Sequence, residues 1–202
     1  MGYSKYKKLR SVTKKFGLSA IKVDLFEGVS INLTEPSHWL TETLSMAKIV
    51  PLINEKVKSE RVVSPILMEI ANFYKDKVTL FSGEELEVNP DEDLSGACDF
   101  FFTLLPQSPY LESPIISLVE SKDEDMDYGI AQCAAQLYGA KLFNEAEGKD
   151  IPFLYGCATD GVEWIFMKFE NNTFYIDNNI FTNVKEILGV WHHIIQLYVG
   201  KN

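Results

Sequence analysis

The chain has 202 residues, 46% hydrophobic and 24% charged, an ordinary globular composition with enough length for one sizeable core. No apolar run approaches the roughly 18–20 residues a membrane-spanning helix needs, and the N-terminus lacks an apolar signal core, so no membrane association is expected. A net charge of −10 weighs against tight, constitutive nucleic-acid binding, although site carboxylates would themselves contribute negative charge that a bound metal partly offsets.

Cys98, Cys133 and Cys157 are odd in number and scattered, with no CxxC. That argues against a disulfide framework or a zinc site and for a cytoplasmic location. With no repeat or low-complexity stretch, residues 1–202 read as a single domain with a basic N-terminal segment, 1–19. There Lys5, Lys7, Lys8, Arg10, Lys14 and Lys15 precede the first acid, Asp24. The segment reads as a solvated terminal helix or frayed tail; an arm touching nucleic acid is the competing reading.

Residues 20–26 and 29–33 have the composition of a small hairpin around Glu27-Gly28. A helix follows over 37–59, with a bend at Pro51. Ser64-Pro65 then reads as a cap with proline at the first helical position, opening a second helix over 65–75. Its apolar face is Leu67, Ile70, Ala71 and Tyr74. Residues 78–81 form a strand, and 87–93 an acidic loop.

Two strands come next. Phe100, Phe101, Phe102, Leu104 and Leu105 form one, and Ile115, Ile116, Leu118 and Val119 the other, with a turn at 106–109. Asp99 opens the first strand and Glu120 ends the second. Glu120 and Lys122, two apart, share a face, while Ser121 points to the other. Pairing of the strands would therefore bring two carboxylates and a lysine together at a strand end. Such a trio suits phosphodiester cleavage. Asp99 and Glu120 would hold Mg²⁺ or Mn²⁺, and Lys122 would orient the attacking water or neutralise developing charge. A plain Glu120–Lys122 strand-end salt bridge is the simpler reading.

Asp123, Glu124, Asp125 and Asp127 form an acidic linker with helix-capping acids. A helix over 128–144 places Gln132 and Gln136 on one face. Residues 151–158 are a nearly continuous apolar run suited to a buried central strand. A hairpin over 162–176 turns at Asn171-Asn172, and a final helix spans 182–199. His192 and His193 are adjacent and read as structural or surface residues.

Gly96-Ala97-Cys98-Asp99 followed by Glu120-Ser121-Lys122 resembles the signature of the PD-(D/E)XK nuclease superfamily, over roughly residues 54–169. Asn54-Glu55-Lys56 with Ser64-Pro65-Ile66-Leu67, and the run from Ala158 to Trp164, are similar to the nuclease domain of type I restriction motor subunits. Cys98 stands where the signature often has proline. The resemblance implies an α/β restriction-endonuclease-like core: a central mixed sheet flanked by helices, here with a C-terminal hairpin and helix. It also implies a helical acid completing the site, with Glu55 the first candidate and Glu60 and Glu69 its rivals. A glutamine from the following helix is implied too, but neither Gln132 nor Gln136 matches the Gln-x-x-x-Tyr spacing to Tyr138. The expected function is metal-dependent hydrolysis of nucleic acid, DNA first, with a homodimer left open. The alternative is a catalytically silent nuclease-fold binding or assembly module.

Overall fold

The structure, a computed structural model, describes residues 2–49, 51–122 and 125–200. One seven-stranded mixed sheet organises the chain, in the order β1-β7-β6-β5-β4-β3-β2. The strands are β1 (Ser19–Val23), β2 (Thr79–Glu85), β3 (Ala97–Thr103), β4 (Ile115–Ser121), β5 (Phe153–Thr159), β6 (Trp164–Glu170) and β7 (Thr173–Asp177). The helices are α1 (Leu9–Phe16), α2 (His38–Ala47), α3 (Glu55–Lys58), α4 (Ser64–Phe73), α5 (Met126–Ala146) and α6 (Val184–Val199).

Alternation along the central strands sorts side chains between two cores. On one face, Phe101, Ile115 and Leu118 pack with Ala134 and Leu137 of α5 and with Tyr3, Tyr6 and Val12 of the N-terminal segment. On the other, Phe100, Phe102, Ile116 and Val119 meet Ile66, Leu67 and Ile70 of α4 and Leu188, Trp191 and Ile194 of α6. The expected pair of site strands forms: β3 and β4 are antiparallel, with Phe100 opposite Val119. β4 and β5 are parallel and joined through α5, and β5 is the buried central strand its apolar run implied. The C-terminal hairpin is β6-β7, turning at Asn171-Asn172, both at positive φ.

α5 lies close on the sheet because its buried face is built from small residues, among them Ala131, Ala134, Ala135 and Ala140. Asn144 near its end uses both amide ends: Nδ2 donates to the Ile115 carbonyl at 2.7 Å, and Oδ1 accepts from the Ile115 N–H at 2.8 Å. This ties the start of β4 to the end of α5.

Four expectations fail locally. The hairpin over 20–33 does not form. β1 pairs in parallel with β7, 154 residues away at Ser19↔Thr173, while the chain after Gly28 leaves the sheet and crosses α6 at Gly189. The helix over 37–59 is two helices: α2 ends at Ala47, and Asn54 caps α3 by accepting from the Val57 N–H. Proline lacks the N–H that continuation needs, so Pro51 breaks the helix. α4 does begin at Ser64 with Pro65 in its first turn, but Ser64 is itself helical and is not the expected cap. α3 runs into α4 through a five-residue π turn, Ser59–Val63, in which the Ser64 N–H reaches the Ser59 carbonyl. The wider turn accommodates the proline ring and missing N–H while Val63, Ile66 and Leu67 stay buried. Finally, of the two forms expected for the basic segment, the terminal helix is present as α1 and the frayed tail is not: Tyr3, Tyr6 and Val12 are buried, and the Phe16 ring lies 4.7 Å from that of Tyr138 in α5. Of the acidic linker, Asp123 and Glu124 lie outside the described residues.

Candidate active site

The site sits where β4 ends. Asp99 lies beside that end: its Oδ2 accepts from the Ser121 N–H at 2.7 Å. Glu120 is buried, 1% exposed, and points toward α5. Its Oε2 accepts from Gln136 Nε2 at 2.7 Å, and its Oε1 lies 3.0 Å from Lys122 Nζ. Lys122 Nζ also donates to Glu55 Oε1 at 3.2 Å, so the ammonium bridges two acids. Glu55, in the first turn of α3, reaches the site from the opposite side of the sheet and remains 44% exposed at its mouth. Asp99, Glu120, Lys122 and Glu55 are thus brought together by three separate elements.

Glu60 and Glu69 are elsewhere. Glu60 is exposed and pairs one turn along its own helix with Lys56 at 3.8 Å. Glu69 receives hydrogen bonds from the Ser37 N–H and hydroxyl, both 2.6 Å, at the N-terminus of α2. Its role is that of a tertiary cap. Glu69→Ala is therefore expected to lower stability by about 0.5–2 kcal/mol in urea unfolding and to leave any activity of the Glu120 site unchanged.

The glutamine ambiguity resolves geometrically. Gln136 contacts Glu120, whereas Gln132 lines a separate cavity with Tyr3, Gly96 and Ala97. Other supporting groups were not singled out from the sequence. Lys122 N–H donates to the Thr159 carbonyl at 2.8 Å, fixing the lysine to the end of β5. A Cβ at Gly129 would come within 3.3 Å of Lys122 Cγ, so the glycine leaves room for the lysine stem. The Tyr128 ring lies 5.6 Å from Lys122 Nζ, within cation–π range. The one sequence signal for these contacts is a glycine in the first turn of an alanine-rich helix.

Burial, reinforced by the Asp99 charge, pushes the Glu120 carboxyl up to about 8, against the pull of Lys122 and Gln136. Burial also raises Asp99, with the Ser121 N–H and Lys122 opposing it. For Lys122 burial acts downward, but Glu120, Glu55 and Asp99 outweigh it and hold the ammonium charged.

The donors are of the type that a hard divalent cation takes, oxygen rather than sulfur or imidazole nitrogen. The set offers carboxylate oxygens alone, and the buried Glu120 and the partly buried Asp99 are both driven toward their neutral forms, a penalty that a cation would relieve. Among the described residues, no group of three or more His, Cys, Asp or Glu side chains is arranged to hold a metal ion. The protein's share of a coordination shell would be Asp99 and Glu120, completed by water and substrate phosphate, a usual arrangement for Mg²⁺.

In comparisons with known proteins, no family model matches this chain and no curated sequence is similar to it. Among the described residues, no helix is long and apolar enough to cross a membrane. Cys98, Cys133 and Cys157 are buried free thiols.

Proposed function

We propose that the chain is a metal-dependent nuclease hydrolysing phosphodiester bonds of nucleic acid, DNA in the first instance, on a PD-(D/E)XK-like core. The supporting observation is the buried Glu120, set beside Asp99 at the end of β4 and joined through Lys122 to Glu55. A structural salt bridge has no need of a second, partly buried carboxylate placed against the first. Perturbed, mutually coupled carboxylates at a strand end are a common mark of a working site.

In this reading Asp99 and Glu120 hold the cation, Mg²⁺ or Mn²⁺. A divalent cation so bound supplies Lewis-acid polarisation of the phosphate and a more acidic water. Lys122 presents its charge to the attacking water or to the phosphoryl oxygens. Gln136 fixes the Glu120 carboxylate, and Glu55 keeps Lys122 oriented from the solvent side.

The second reading is a silent binding or assembly module. It is favoured by the Lys122 bridge, which neutralises the carboxylates internally, and by the net charge of −10. A gel assay on single-stranded DNA, duplex DNA and RNA, with Mg²⁺ or Mn²⁺ and with chelator, separates the two. The nuclease reading expects chelator-sensitive cutting; no cutting of any substrate would favour the module.

A further inference from the structure

Seven of the 19 Lys and Arg residues precede the first of the 29 Asp and Glu residues. The fold sorts these seven into two groups. Lys5 and Lys15 are anchors: both pair with Asp93, at 2.7 and 3.3 Å, clipping the segment to the loop before β3. Lys7, Lys8, Arg10, Lys14 and Lys22 are exposed and make no ion pair among the described residues. On so acidic a surface, five cations close in the chain and outside any ion pair among the described residues leave a local positive stripe.

The stripe is held rigidly. Tyr3, Tyr6 and Val12 are buried beneath it; Arg10 and Lys14 are presented from α1, Lys22 from the edge strand β1, and Lys7 and Lys8 from the segment that leads into α1. Lys7, Lys8 and Lys22 line an open groove with Leu9, Ile130 and Ile176. Asp125 and Asp127 also line it, but the Asp125 carboxylate is engaged as the cap of α5, accepting from the Tyr128 N–H at 3.0 Å. Tyr128, next in sequence to the groove-lining Asp127, stands beside the Glu120 site. Tyr128 Oη donates to the Ser4 carbonyl at 2.8 Å, while its ring faces Lys122.

We infer that Lys7, Lys8 and Lys22, extended by Arg10 and Lys14, hold the phosphate backbone of a nucleic acid whose neighbouring segment lies at the Glu120 site; this rests on the nuclease reading. Phosphate is the partner that charge complementarity selects, and three lysines along one open groove suit a continuous strand. In the groove three lysines outnumber two carboxylates, so its balance is positive although the whole chain is acidic.

The test is binding of labelled single-stranded and duplex oligonucleotides by fluorescence anisotropy, in chelator, across a salt series. Lys7→Ala/Lys8→Ala/Lys22→Ala is compared with Lys75→Ala/Lys77→Ala/Lys149→Ala, which removes the same charge from exposed positions elsewhere. Circular dichroism confirms that both variants fold. The groove variant should weaken binding and reduce the slope of log K against log salt by about 2–3, with the control close to wild type. No binding by wild type, or equal effects of the two variants, overturns the inference. So does attachment to phosphatidylserine vesicles without oligonucleotide binding, which would make the stripe a membrane contact. Because no metal is present, binding without any cutting elsewhere would spare this inference and sink the nuclease. Cutting with binding indifferent to the three lysines would do the reverse.

Discussion

Lys122→Ala is expected to lower metal-dependent cutting by about 10²–10³, the usual worth of a single charge-stabilising group at a reacting centre. The ammonium sits within 3.2 Å of both Glu120 and Glu55, so it is positioned by the carboxylates but need not be a ligand. Cation binding should survive its removal. The fold is less indifferent than a strand-end lysine read from sequence implies. The side chain is only 16% exposed, and its loss leaves Glu120 buried without a cation. Breaking a buried pair costs about 3–5 kcal/mol when the orphaned charge persists. Glu120 avoids that cost by taking up a proton, so the destabilisation should be small at mildly acidic pH and grow as pH rises. Lys122→Met keeps the stem against Gly129 and Tyr128 without the charge and serves as the second variant. The same gel assay, run with urea unfolding at two pH values, reads both effects. Equal residual cutting by wild type and both variants would identify a contaminating nuclease.

The second large effect is on stability against pH. In the folded chain the Glu120 carboxyl is raised from 4.5 to about 8, chiefly by burial and then by Asp99. Between those values the native state holds a proton the unfolded chain has released. Stability must then fall as pH rises through the window, being fully retained below 4.5 and lowest above about 8. With about 1.36 kcal/mol per pKa unit, the drop is on the order of a few kcal/mol. The raised Asp99 acts in the same direction, starting near its ordinary value of 3.8. Lys122, raised from 10.5, contributes stability that is lost only above that value, outside this window. Glu120→Gln should flatten the dependence, as measured by urea midpoints from pH 5 to 9 in chelator. An unchanged slope in that variant would mean that Glu120 is not the titrating group. Adding Mg²⁺ to wild type should restore stability at the alkaline end.

The parts of this fold legible in the sequence are those where local pattern and burial agree. β3, β4 and β5 announce themselves because strands covered on both faces are continuously apolar, and Asp99 and Glu120 stand out against those runs. The Glu120–Lys122 relation follows from the two-residue period. What was hidden depends on partners distant in the chain. The parallel pairing of β1 with β7 has no local signature, so Gly28 suggested a hairpin that tertiary contacts with α6 forbid. The π turn before Pro65 goes with the burial of Val63 and Ile66 and leaves Ser64 helical, so its capping chemistry is not used although α4 starts there. Glu55 could be ranked above Glu60 and Glu69 only by resemblance, because three helical glutamates look alike until packing turns one toward the sheet. Gln136 and Gln132 share a helix face, and only the position of β4 beneath them decides which one meets Glu120.

The central claim is that Asp99 and Glu120 together hold a divalent cation, and Mn²⁺ titration followed by electron paramagnetic resonance tests it most directly. The measurement needs neither a substrate nor turnover. At a pH above about 8, where Glu120 is ionised, wild type should bind Mn²⁺ saturably. Binding should persist in Lys122→Met and be lost in Asp99→Asn and in Glu120→Gln. Absence of saturable binding in wild type, or equal binding in all four proteins, would contradict the account.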